Sequence, residues 1–149
     1  MGQSLKNKKA DSHEEAKMEF HQGKSLFGEY ELNESNVLCI YPPKESTPPS
    51  ILLCMRAPVG DINVCFRKIG IGRGLCSISP KKIDFDFLYY FLIFSKSNLV
   101  SKSTGSTFQA ITIKVVKNLI ISLPTELEQK NISKKISTCF SMIRKLTNT

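Results

Sequence analysis

The chain has 149 residues, 41% of them apolar, and a formal net charge of +8. That is enough for one folded domain with its own core. It excludes a membrane-spanning helix, because the longest apolar run, residues 87–94, is far below the ~20 residues a bilayer span needs. The charge is uneven: residues 1–49 carry 6 Lys+Arg against 8 Asp+Glu, and residues 50–149 carry 15 against 5. The basic character belongs to the second part and points to a polyanionic partner, nucleic acid first.

Residues 1–23 mix charges without apolar periodicity and read as a polar arm or a short exposed helix. They lack the apolar core of a secretory signal, so the expected location is the cytoplasm. Pro42, Pro43, Pro48 and Pro49 mark a loop. Residues 51–56 and 61–66 are β-type runs joined by Ala57-Pro-Val-Gly60, where Pro fixes φ and Gly accepts φ > 0. A third run at 75–79 completes a small antiparallel sheet.

From Asp84 the pattern changes to FLYYFLIFSKSNLV, a largely buried helix with Asp84 or Asp86 as its N-cap. Residues 102–107 are a loop, 110–117 fit helix or strand, and 118–123 read as a strand closed by Pro124. Thr125 and Glu128 form a capping box for a last helix. In it Ile132, Ile136, Cys139, Ile143 and Leu146 recur at spacings of 4, 3, 4 and 3, a coiled-coil stripe. Either that stripe packs on its own domain or it pairs with a helix outside it. The fold class is therefore α+β: a small, mostly antiparallel sheet with packed helices, followed by a C-terminal coiled-coil-type helix.

Chemistry-bearing motifs are few. The five cysteines contain no CxxC pair and have mostly apolar neighbours, so they read as reduced core thiols. With only His13 and His21 as histidines, no metal site is expected. Gly70-Ile-Gly-Arg-Gly74 looks like a phosphate loop but leads into a strand, so no helix N-terminus faces an anion. No Walker lysine, carboxylate pair or nucleophile elbow is present, and no catalytic residue is assigned.

Arg56 and Arg73 each lie where a strand meets a tight turn. There the guanidinium fork is presented rigidly to a phosphate or to guanine O6 and N7, or it caps carbonyls or pairs with Asp61. The hydroxyls and ammonium of residues 101–107 suit phosphate oxygens, or are a solvated connection. Gln109 has the groups to read adenine, or is an ordinary polar neighbour of a core Phe108. A general RNA or single-strand binder is disfavoured, since no aromatic platforms recur at a recognisable spacing.

Five segments occur in a telling order: QGKSLF at 22–27, ILLCMRAPVGDIN at 51–63, IGRGL at 71–75, GSTFQAI at 105–111, and NLIISLP at 118–124 with Glu128 and Gln129. From about residue 20 to the end, the chain resembles a target recognition domain of the specificity subunit of type I restriction-modification systems. The resemblance implies a DNA-reading subunit without an active site. In that family two such domains each read half of a bipartite target in double-stranded DNA. Long helices between them act as a ruler and dock the methyltransferase (modification) subunits. S-adenosylmethionine and ATP belong to the partner modification and restriction subunits, and no cofactor is expected here.

On this basis the candidate DNA contacts are Lys24, Arg56, Arg67, Lys68, Arg73, Lys102, Ser103, Thr104, Ser106, Thr107 and Gln109. The candidate partner-helix residues are Ile132, Ile136, Cys139, Ile143 and Leu146. Residues 1–19 are a polar arm, 20–124 an N-terminally shortened recognition domain, and 125–149 a spacer or dimerisation helix. Such a chain is either a half-subunit that forms a homodimer or a truncated remnant that associates through its helix without reading DNA.

Overall fold

The computed structural model describes residues 1–3, 17–105 and 108–147. Its centre is β4 (Ser50–Cys54), all five residues buried, with β5 (Ile62–Cys65) and β7 (Leu75–Ile78) antiparallel on its two sides. Side chains alternate across a strand, so β4 faces two cores. Leu52 and Cys54 join Leu32, Cys65, Ile69, Ile71 and Leu75 on one side. Leu53 joins Met55, Val59, Cys76, Leu99 and Ile111 on the other. A strand buried on both faces has no polar side to show, which is why ILLC is unbroken.

The three expected strands and their antiparallel order are present, and Gly60 of the connecting turn has φ +85. A second, four-stranded sheet was not expected. Its order is β2 (Leu38–Cys39), β1 (Met18–His21), β6 (Ile69–Ile71), β3 (Glu45–Ser46), with β1 and β6 parallel. Among the described residues, Met18–His21 within the stretch read as a polar arm form a strand. His13 and most of that arm lie outside the described residues.

The apolar helix comes as two segments, α1 (Phe85–Phe94) and α2 (Lys96–Ser101), divided at buried Ser95. Asp84 is the N-cap, its carboxylate accepting from the amide of Phe87 at 2.9 Å. The helix is less buried than expected: Leu92 and Leu99 are inside, whereas Phe94 faces solvent. Residues 113–117 resolve as a helix, α3 (Ile113–Lys117). Residues 118–123 are not a strand: no strand edge pairs with them, Leu119 packs on the second core, and Ile120 is 92% exposed.

The last helix, α4 (Glu126–Thr147), starts at Thr125, whose hydroxyl accepts from the Glu128 amide at 3.4 Å. It packs on α1 through a face other than the apolar stripe. Gln129 is buried, accepting from the Asp84 amide at 2.9 Å and donating to the Pro124 carbonyl at 2.8 Å. Further along, Phe140 stacks on Tyr90 and Arg144 pairs with Glu29 at 3.0 Å. Of the stripe, Ile132 and Ile136 are half-buried, and Cys139, Ile143 and Leu146 are exposed. No described helix is long and apolar enough to cross a membrane.

Candidate nucleic-acid interface

Four stretches of chain far apart in sequence meet at the ends of parallel β1 and β6. The amide of Gly72 donates to the His21 carbonyl at 2.7 Å, which sets the IGRGL turn against Gln22 and Gly23. Met55 donates to the Gly74 carbonyl at 2.8 Å, which brings in Arg56. Ala57 donates to the Gln109 carbonyl at 2.9 Å, and Thr104 and Ala110 exchange two hydrogen bonds of 3.0 Å, which adds the loop after α2. Gly74 explains the glycine spacing: a Cβ there would overlap the Gln22 carbonyl oxygen. The glycine there serves close backbone approach.

The result is a pocket of about 190 Å3 lined by Gln22, Lys24, Arg56 and Arg73 over a floor at Cys54. Burial pushes the Cys54 thiol up to about 12, so it stays protonated and is no nucleophile. Lys24 is anchored, its Nζ donating to Asp61 Oδ2 at 2.7 Å, while Lys96 reaches Asp61 Oδ1 at 2.6 Å. Burial pulls the Asp61 carboxyl upward, but hydrogen bonds from the two lysines outweigh it and hold the group below its ordinary value. Asp61 therefore takes the lysines and not Arg56. Among the described residues, neither Arg56 nor Arg73 has a hydrogen-bond or ion-pair partner, and both are exposed.

A larger cleft of about 730 Å3 separates α1 from α4, but it sets Asp84 and Asp86 among Lys130, Lys134 and Arg144. That mixed lining suits a polyanion less than the basic pocket does.

The structure thus brings together Lys24, Arg56, Arg73, Gln109 and the base of the 102–104 loop. Lys102 and Thr104 are exposed there, while the Ser103 hydroxyl donates to the Val100 carbonyl at 2.7 Å. Ser106 and Thr107 lie outside the described residues. Arg67 and Lys68 lie at the opposite, starting ends of β1 and β6. Arg67 turns inward: Nε and Nη2 donate to Glu19 at 3.0 and 2.9 Å, and Nη1 and Nη2 donate to the carbonyls of Leu32 and Asn33, each at 2.9 Å. Its fork is committed to holding three chain segments together. Lys68 pairs with Glu45 at 2.7 Å. Phe108 is the residue the sequence reading misplaced: it is 83% exposed beside Gln109, not core.

Residues 29–149 match the type I restriction modification DNA specificity domain. The chain belongs to that family. This specificity domain is 38% identical over 127 residues to a protein of Methanocaldococcus jannaschii named as the MjaX specificity subunit of a type I restriction enzyme, covering 83% of this chain and 29% of that protein. The HsdS subunit from Thermoanaerobacter tengcongensis superposes with a TM-score of 0.85 at 29% identity, covering 99% of this chain and 36% of the other. A chain from a structure on complex assembly and conformational transition of the type I R-M system gives 0.84 at 32% identity, covering 99% and 37%. The specificity domain spans about a third of the length of these relatives. The resemblance to this family and the α+β class both hold.

Proposed function

We propose that this specificity domain reads double-stranded DNA through the face that carries Lys24, Arg56, Arg73, Lys102 and Gln109. It does so as the non-catalytic recognition component of a type I restriction-modification complex in the cytoplasm. The observation that carries the reading is the convergence of two exposed arginines, without side-chain partners among the described residues, and an anchored lysine on hydrogen-bonded backbone around one pocket. Rigid presentation is what distinguishes base reading from diffuse attraction. Arg67 and Lys68 are left out of the reading face, since their charges are already paired. Methylation and cleavage, with S-adenosylmethionine and ATP, fall to partner modification and restriction subunits.

Selection from a randomised duplex library tests this. The chain should enrich one short motif, and a chain that enriches none overturns the reading. Arg56→Ala or Arg73→Ala should relax one position by about 1–3 kcal/mol if the arginine meets a base. If it meets a phosphate, the salt dependence of log K should flatten by about 0.9 with selectivity kept.

The exposed stripe of α4 supports association with a second helix. The stripe residues Ile143 and Leu146 are 55% and 80% exposed, so the helix has an apolar side free for a second helix. Light scattering should give a dimer mass for the chain and a monomer mass for Ile143→Asp with Leu146→Asp, at unchanged thermal stability. A monomer in both cases would remove the homodimer.

A further inference from the structure

Phe108 is a large side chain that neither the fold nor the proposed reading uses. Other aromatic residues are as exposed, Tyr41 and Phe94 among them. Phe108, however, sits one residue from the hydrogen bond joining Gln109 to Ala57, beside Arg56. Its loop is held at the base by the paired bonds of Thr104 and Ala110, and the next residue, Ile111, donates to the Met55 carbonyl at 2.8 Å. Gly105 turns the chain at φ +104, where a Cβ would lie 2.6 Å from the Phe108 carbonyl oxygen. The residues after Phe108 are therefore hydrogen-bonded to the backbone on both sides of Arg56.

The chemistry of the neighbours indicates the ligand. Guanidinium and carboxamide forks match guanine O6/N7 and adenine N6/N7, edges that lie in the major groove. In that groove the apolar group a base pair offers is the 5-methyl of thymine. An exposed ring among polar readers gains by covering a methyl and has no hydrogen bond to offer elsewhere. We infer that Phe108 packs on the 5-methyl of a thymine in the major groove and so selects an A·T pair beside the base met by Arg56. This rests on the proposed DNA reading and names one of its specificity determinants.

The test replaces each thymine of the selected motif in turn with deoxyuridine, which lacks only the methyl. The intact chain should lose about fourfold in affinity at one thymine, the worth of one buried apolar carbon. Phe108→Ala should bind the thymine and uracil duplexes equally, and Arg56→Ala should keep the thymine preference. Methyl sensitivity that survives in Phe108→Ala overturns the contact, as does a motif with no methyl-sensitive thymine while the intact chain still selects it. A chain that selects no motif brings down the DNA reading itself. Thermal melting of Phe108→Ala should match the intact chain, since the ring is outside the core.

Discussion

Glu19→Ala is expected to lower the stability of the fold by about 3 kcal/mol at neutral pH and to remove much of its sensitivity to acid. The Glu19 carboxylate accepts from Arg67 twice, from His21 Nε2 at 3.0 Å and from the Ser35 amide at 3.2 Å. The Arg67 hydrogen bonds dominate and outweigh burial, drawing its pKa down to about 2 from 4.5. At 1.36 kcal/mol per unit that difference is worth about 3 kcal/mol. Its sign follows from proton binding. Below about pH 4.5 the unfolded carboxylate takes a proton that the folded one refuses, so stability is complete above that pH and is lost as pH falls toward about 2.

His21 adds a second acid-sensitive term. Burial lowers its pKa against the pull of Glu19, and among the described residues its Nδ1 has no hydrogen-bond partner. The unfolded imidazole therefore protonates first, and this contribution fades as pH drops below the ordinary histidine value of 6.5. Urea unfolding between pH 3 and 8 should show the variant losing the carboxylate-dependent fall below about pH 4.5 while a histidine-dependent fall remains. Equal stability of the two proteins at pH 7 would show that the Glu19–Arg67 pair holds nothing together. Arg67→Met should destabilise similarly without changing which DNA sequence is selected.

That pair also shows where reading the sequence stops. An arginine after a strand looks the same in sequence whether a carboxylate 48 residues away or a duplex waits for it. Arg67 therefore reads in sequence as a DNA contact. The central sheet was readable because β4 is apolar on both faces and its neighbours follow through proline- and glycine-marked turns. The start of α1 was readable because Asp84 caps it locally. β1, β2 and β3 were not, since they are two to four residues long and β1 bonds to β6 about fifty residues on. In β1, apolar Met18 and Phe20 do alternate with polar Glu19 and His21, but four residues are too few to mark a strand within a charged stretch.

Residues 118–123 have strand composition but no strand edge to meet, and composition cannot supply a partner. Arg56 and Arg73 were legible as candidates because rigid turns flank them. Their convergence with Lys24 was not, because it depends on which backbone carbonyls meet Gly72, Met55 and Ala57. Phe108 reads as core on hydrophobicity alone, yet its ring is 83% exposed.

Gly74→Ala should destabilise the fold by about 3 kcal/mol and abolish selective DNA binding together. The added Cβ would overlap the Gln22 carbonyl oxygen and lie 3.3 Å from its carbon, so the obstacle is backbone and not a side chain that can rotate away. Retreat of the turn is blocked on the other side, where the Gly74 carbonyl accepts the 2.8 Å bond from Met55. Relief must separate either β1 from the turn or the turn from Arg56, and both carry the pocket. Gly23→Ala is the matching control: its backbone is extended at φ −164, and a Cβ there meets nothing within 4 Å. It should leave unfolding unchanged within about 0.5 kcal/mol. Arg73→Ala completes the comparison, because an exposed, unpartnered side chain can weaken DNA binding without weakening the fold. Urea melts and duplex titrations on the three variants should therefore separate. Gly74→Ala with normal stability and normal selectivity would mean that the close approach of the turn to Gln22 does not build the site.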